Sequence, residues 1–289
     1  MDSLLVLIAA PGSGAITPRV VEMLRDHGGG VPYWLSPGDA LEVEAFTGVA
    51  QFLVDLRGHA IDAASISIHN RRKRLLLADM DSTMIHQECI DELGVVAGVG
   101  DKIKGITARA MRGELDFDGA LRERVSLLKG LDTSVIGQLL RERITFMEGG
   151  KTLLATMRAN GAYAALVSGG FLSFTGPVAA QLGFHENRAN TLIEKDGKLT
   201  GEVCLPILGQ QAKLDALREI AASHGLTPDD AIAVGDGAND LAMLGEAGLG
   251  VALHAKPHVQ ERCRVRINHG DLTALLYLQG YRKEQFVAV

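Results

Sequence analysis

Short runs of consecutive apolar residues set the frame of the chain. Residues 75–78 (Leu-Leu-Leu-Ala), 163–167 and 231–234 each stop at polar or glycine-rich positions, and the stretches 249–253 and 265–267, interrupted by Gly250 and Arg266, supply two more strand candidates. Unbroken apolar runs of this length predict strands buried on both faces of a parallel sheet, because a half-exposed strand would alternate. Helical patterns fall between them, at 150–160 with Gly161 as its stop, at 171–182, and at 211–224 before Gly225. Strands and helices alternating at this spacing predict a Rossmann-like, doubly wound, mostly parallel sheet. Two further strands, roughly 190–194 and 198–203, flank Asp196-Gly197, a pair that favours a hairpin turn.

Between the first run and residue 150 the pattern changes. Residues 84–147 carry no strong strand signal but four helical stretches, 90–99, 102–111, 117–128 and 133–143. A helical insertion directly after the first strand predicts a cap that closes over the strand ends and excludes water. The first 70 residues are patterned separately. They read as a strand at 3–10, a helix at 17–27 with Thr17 as cap and Pro18 at its first position, strands at 33–35 and 41–46, a helix at 49–56 and a strand at 60–68. This β-α-β-β-α-β order resembles the small ACT-type or ferredoxin-like module, so domains of 1–70 and 71–289 are expected. Two readings of the module stand: a structural or dimerising appendage, and an amino-acid sensor.

Composition narrows the functions. A chain of 289 residues with 47% hydrophobic content is long enough for about two domains with a sizeable core. The net charge of −6 argues against a general nucleic-acid binder, and the densest basic run, Arg71-Arg72-Lys73-Arg74, reads as a solvated linker. Cys89, Cys204 and Cys263 are widely spaced and odd in number, which predicts neither a zinc site nor a disulfide framework, and so a reduced, cytoplasmic setting. The apolar start has Asp2 in place of a basic leader and is cut by Pro11, Gly12 and Gly14; no membrane span or secretory signal is expected from it.

The candidate chemistry begins where the first buried run ends, in Asp79-Met80-Asp81. Open α/β sheets bind ligands at the carboxyl ends of their strands. Two acids held there repel each other unless a cation or a raised pKa relieves them, which suits one as ionised nucleophile and the other as general acid. Further strand ends and helix starts carry Ser168-Gly169-Gly170, Lys213, and Asp236-Gly237-Ala238-Asn239-Asp240. The glycines of the last segment do not make a dinucleotide fingerprint, and no P-loop is present.

In order, these four features resemble the motifs of the haloacid dehalogenase-like hydrolases, over residues 74 to about 270. The resemblance implies a phosphatase in which Asp79 attacks phosphorus and Asp81 serves as acid and then base. Mg²⁺ would be held by Asp79, Asp236 and the backbone carbonyl of Asp81. Ser168, the Gly169 amide, Lys213 and Asn239 would hold the phosphoryl group, with Asp240 supporting the metal or Lys213. Asp79-Met80-Asp81-Ser82-Thr83-Met84-Ile85, residues 124–131, 167–171 and 234–240, and the Ala-Lys-Pro at 255–257 are most similar to the branch acting on phosphoserine. In that branch Glu88, nine positions after Asp79, would bind the substrate ammonium, and Arg124, forty-five after it, the carboxylate. The small-molecule substrate expected is phosphoserine, as the last step of serine synthesis, with neither nucleic acid nor membrane as partner and a homodimer through the N-terminal region. Phosphoryl transfer to another hydroxy amino acid such as homoserine, or a non-catalytic amino-acid sensor, are the alternatives. Met111 and Phe117 read as cap-wall or helix-core residues, Cys89 as a buried apolar residue, and His254 and His258 as structural; His86 has no assignable role.

Overall fold

The computed structural model describes residues 3–289, apart from the side chain of Met111. The N-terminal elements are β1 (Ser3–Ala9), α1 (Pro18–Asp26), β2 (Tyr33–Ser36), β3 (Ala40–Glu44), α2 (Val49–Asp55) and β4 (Ile61–Ser67). They form an antiparallel sheet in the order β2-β3-β1-β4. Thr17 occupies the N-cap of α1 without making a side-chain cap bond, so the fixed φ of Pro18 starts the helix. β1 is apolar on both faces. Leu5, Leu7 and Ala9 pack on α1 and α2 through Val20, Leu24 and Phe52. Val6 and Ile8 point the other way, into a core shared with the rest of the chain.

The second sheet has six strands, all parallel: β5 (Leu75–Ala78), β6 (Tyr163–Phe171), β7 (Glu186–Asn190), β10 (Ala231–Gly235), β11 (Leu249–Leu253) and β12 (Val265–Ile267). Their order is β12-β11-β10-β5-β6-β7. The chain steps outward from β5 to β7 on one side and returns to build β10 to β12 on the other. The strand order therefore reverses at β5, where such sheets open a crevice beyond the strand ends.

Helices α3 (Cys89–Val96), α4 (Gly100–Met111), α5 (Phe117–Ser126) and α6 (Ser134–Glu142) make the cap. Asp116 caps α5 by accepting from the Gly119 amide at 2.8 Å. The chain enters and leaves the cap side by side: the His86 amide donates to Thr145 O at 3.0 Å, and the Met147 amide to Met84 O at 3.0 Å. Strands β8 (Leu192–Lys195) and β9 (Lys198–Val203) form the expected hairpin, which bonds to the cap through Gly130 N to Leu199 O and Leu199 N to Leu131 O. Helices α7 (Gly150–Ala159), α8 (Leu172–Leu182), α9 (Gln210–Ser223), α10 (Leu241–Glu246), α11 (Pro257–Gln260) and α12 (Ala274–Leu278) complete the chain.

Three expectations change. The strand expected at 163–167 does not stop at Val167; Ser168-Gly169-Gly170 continues it as a bulged end, where pairing with β7 shifts register between Val167 and Phe171. Asn190 closes β7 instead of opening the hairpin; Glu-Asn-Arg-Ala-Asn is a polar edge strand with no apolar run to announce it. The basic run is not simply solvated. Arg71 contacts Glu42 at 2.7 Å and donates to the carbonyls of Tyr277 and Leu278, Lys73 is buried with Nζ 2.6 Å from Asp229 O, and the Arg72 guanidinium lies over the Tyr281 ring. The carboxylate of Asp62 adds a second tie between the sheets, accepting from the amides of Asn268, His269 and Gly270 at 2.8, 2.9 and 2.8 Å. Among the described residues no helix is long and apolar enough to cross a membrane, and the three cysteines are free.

Candidate active site

The floor of the crevice is built from strand ends. Asp79 follows β5 and is held there by its amide on Val234 O at 3.0 Å. Its Oδ1 accepts from the Met80 amide at 2.7 Å and lies 2.7 Å from Lys213 Nζ. Lys213, in the first turn of α9, is fully buried and also bonds Asp240 Oδ1 at 2.7 Å. Burial alone would push its pKa down, but Asp240 and Asp79 more than reverse that and raise it, so the lysine is a fixed positive charge. Asp240 is in turn fastened by the Gly237 amide at 3.0 Å. Gly235 ends β10 because a β-carbon there would overlap the Asp240 carboxylate.

Oxygens of Asp79, Asp236 and Asp240 all lie within 4.8 Å of one another. Burial, and then the charge of Asp79, push the pKa of Asp236 up to about 6; burial and Asp79 also raise that of Asp240. Lys213 neutralises one side of this cluster only. Lys256 Nζ stands 3.7 Å from Asp236, and Thr83 Oγ1 3.4 Å from it, at the other. Buried oxygen donors with surplus negative charge fit a hard divalent cation such as Mg²⁺.

Asp81 is chemically distinct from its neighbour. Its carboxylate stands apart from that cluster, 3.4 Å from the Cys89 amide. Burial, the charge of Glu88 and that of Asp79 raise its pKa well above the ordinary carboxylate range. Two acids separated by one residue thus have different surroundings: Asp79 is paired with a buried cation, and Asp81 is inclined to hold a proton.

Above the floor is a cavity of about 450 Å³ lined from below by Asp79, Asp81, Ser168, Gly169, Asp236 and Asn239, and from the cap by Glu88, Phe117 and Arg124. Lys213 and Asp240 sit behind its surface. Ser168 Oγ accepts from the Gly170 amide at 2.9 Å, which fixes the hydroxyl at the bulge. Gly169 allows close approach of the cap, since a β-carbon there would be 2.9 Å from the Phe117 ring. Arg124 is braced by its own helix, Nε to Ala120 O at 3.2 Å, and burial lowers its pKa against the pull of Glu88 and Asp91. Glu88 accepts from Ser82 Oγ at 2.9 Å; burial raises its pKa, while Ser82 and Lys256 oppose the rise. Among the described residues Glu88 and Arg124 make no direct ion pair, which leaves an acid and a fork of donors facing one space.

Several contributors lay outside the sequence reading. Asn190 ties the bulge to the approach of α9, donating to Gly169 O at 2.9 Å and Leu208 O at 3.1 Å and accepting from the Leu208 amide at 2.7 Å. Ser82 holds Glu88 from a left-handed backbone conformation, φ 54°. Lys256 lines the cavity; its Ala-Lys-Pro setting was visible, but nothing in the spacing pointed it at Asp236. Cys89 is buried with its thiol pKa raised, His254 bonds Gly270 O at 2.9 Å, and His86 pairs with Glu148 at 3.2 Å. Phe117 lines the cavity, whereas the Met111 side chain lies outside the described residues.

A parallel sheet reversing at an acid-bearing strand, a helical insertion after that strand, and a lysine clamping the strand-end acid define a class. The family model of the haloacid dehalogenase-like hydrolases matches residues 76–245, and the chain belongs to that family. Within it the similarity narrows to phosphoserine phosphatases. The phosphoserine phosphatase of Streptomyces coelicolor is 42% identical over 231 residues, 80% of this chain and 56% of that one. That of Haemophilus influenzae is 46% identical over 204 residues, 71% of this chain and 65% of its own length. The matched region thus spans less than two thirds of either relative. A solved structure described as a phospho-aspartyl intermediate analogue of phosphoserine phosphatase is 42% identical, covers 71% of this chain and 98% of its own, and superposes with a TM-score of 0.67.

Proposed function

We propose that the protein is a Mg²⁺-dependent phosphatase that converts O-phospho-L-serine to L-serine and inorganic phosphate through an aspartyl-phosphate on Asp79. The observation that carries this is the divergence of the two strand-end acids, Asp79 against the Lys213 ammonium and Asp81 with its pKa driven up. An Asp79 oxygen attacks phosphorus as the P–O bond to serine breaks, and Asp81 gives its proton to the departing serine oxygen. Asp81, now a base, takes a proton from water; that water oxygen bonds to phosphorus, the P–O bond to Asp79 breaks, and phosphate leaves.

Ser168 Oγ, the Gly169 amide, Asn239 and Lys213 hold the phosphoryl oxygens where charge develops. The carboxylates of Asp79 and Asp236 with the Asp81 carbonyl would hold Mg²⁺, which when bound neutralises phosphoryl charge. Asp240 keeps Lys213 in place. Glu88 takes the ammonium and Arg124 the carboxylate of the substrate, a pairing that suits a zwitterionic amino-acid head. The relative described as an aspartyl-phosphate analogue, and phosphoserine as the named substrate of the curated relatives, support both halves of the reading. In that role the enzyme would complete serine synthesis in the cytoplasm. The division at residue 70 and dimerisation through the N-terminal sheet belong to the same proposal; β2 is an edge strand that leaves Tyr33 and Trp34 exposed.

The test is phosphate release from L-phosphoserine, with and without Mg²⁺, beside Asp79→Asn. Mg²⁺-dependent release, lost in the variant by about 10⁴-fold or more, is expected. Release from other esters but not phosphoserine would discard the substrate; release that survives in the variant would discard the nucleophile.

A further inference from the structure

A second cavity, of about 380 Å³, lies at the seam between the two sheets and shares no residue with the active site. It is bounded by the end of β4 and the connection after it, by the turn from α10 to β11, and by the segment before β12. Its ionisable lining is His69, Arg71, Lys73, Arg262, Arg264 and the thiol of Cys263, with no carboxylate among the lining residues. In a chain of net charge −6 such a lining is not what a random sample of the surface would give.

The cations divide into two sets. Arg71 is committed to Glu42 and two carbonyls, and Lys73 to Asp229 O, with the carboxylates of Asp229 and Asp230 close enough to oppose the lowering of its pKa by burial. These two build the wall. Arg262 and Arg264 are exposed at the rim and make no ion pair or side-chain hydrogen bond among the described residues. Two free guanidinium groups beside a concave, acid-free space match the charge and the paired oxygens of a phosphate group. The volume is within the range of small-ligand pockets.

We propose that this seam is a second anion site, which takes the phosphate group of a small molecule between the guanidinium groups of Arg262 and Arg264. The group is either inorganic phosphate or the phosphoryl end of a metabolite; both offer the same oxygens to the same forks. The site stands independently of the reaction assigned to the active site.

Isothermal titration of the metal-free, full-length protein with inorganic phosphate at fixed ionic strength tests it, because without metal the active site cannot turn over a phosphate ester used in a second arm. Wild-type protein should show two classes of phosphate site. Ser168→Ala should weaken one, and Arg262→Ala/Arg264→Ala the other, by about tenfold or more. Ser65→Glu, which sets a carboxylate on an exposed lining position of β4 without touching either arginine, should reproduce the second loss. Glycerol 3-phosphate binding this site more tightly than phosphate would assign it to a metabolite, and equal or weaker binding to inorganic phosphate. A single class of site that Arg262→Ala/Arg264→Ala leaves unchanged, or isotherms of the arginine and Ser65 variants that superimpose on the wild type, would overturn the proposal.

Discussion

The floor and the cap wall of the same cavity are built on different principles. The floor is a chain of buried charges, Asp79 at the end of β5, Lys213 in the first turn of α9 and Asp240 at the start of α10, joined by contacts of 2.7 Å and backed by main-chain amides. The wall is made of cap side chains, Glu88 at the N-cap of α3 and Arg124 on α5, each braced by a neighbour but not by one another. Buried charges clamped to one another cannot adjust to different substrates, and helices joined to the body by two strands of chain can. In the proposed reaction this difference assigns phosphoryl chemistry to the clamped floor and recognition of the rest of the molecule to the wall.

The largest effect should come from breaking the floor. Lys213→Met leaves Asp79 and Asp240 buried without their cation, and should lower stability by about 3–5 kcal/mol in chemical denaturation. The same substitution at Lys256, which is half exposed, should leave stability nearly unchanged. Comparable losses at both positions would erase the contrast between a locked floor and an adaptable surround.

A smaller effect should follow from pH and metal. Asp236 has a folded pKa of about 6, above its ordinary value, so the folded metal-free protein binds more protons than the unfolded chain between pH 4 and 6. Its contribution therefore favours folding at low pH and is lost as pH rises towards 6, by about 2–3 kcal/mol in all. A divalent cation needs Asp236 ionised, so added Mg²⁺ should raise Tm more at pH 8 than at pH 5. A gain independent of pH would remove Asp236 from the metal site.

The smallest effect probes the contact between floor and wall. Gly169→Ala places a methyl 2.9 Å from the Phe117 ring, so the ring at the cap wall must shift to make room. KM should rise a few-fold, roughly five to ten, with Tm little changed, since the group displaced is the end of one side chain. Unaltered kinetics would mean that the cap does not close on Gly169 during turnover.

Much of the floor was legible in the sequence because buried parallel strands are unbroken apolar runs, and Asp79, Ser168 and Asp236 stand directly after or at the end of such runs. The β-α-β-β-α-β order of the first 70 residues was legible for a related reason: turns at Gly28 and Ser36-Pro37-Gly38-Asp39 separate its strands. β7 was not, because an edge strand of polar residues carries no periodic signal, and Asn190 was misplaced with it. The burial of Lys73 and the anchoring of Arg71 were hidden too, since local composition cannot show that a basic run crosses a seam between two sheets. Glu88 and Arg124 were reachable only by resemblance; nothing local separates them from ordinary surface charges on helices.

The division between floor and wall is tested most directly by kcat/KM of wild type and Arg124→Ala on two substrates, L-phosphoserine and an aryl phosphate without an amino-acid head. Loss of a charged, bidentate contact should raise KM for phosphoserine by about 10- to 100-fold and leave the aryl phosphate within about twofold. Equal losses on both substrates would contradict it, and would place Arg124 with the chemistry of the floor.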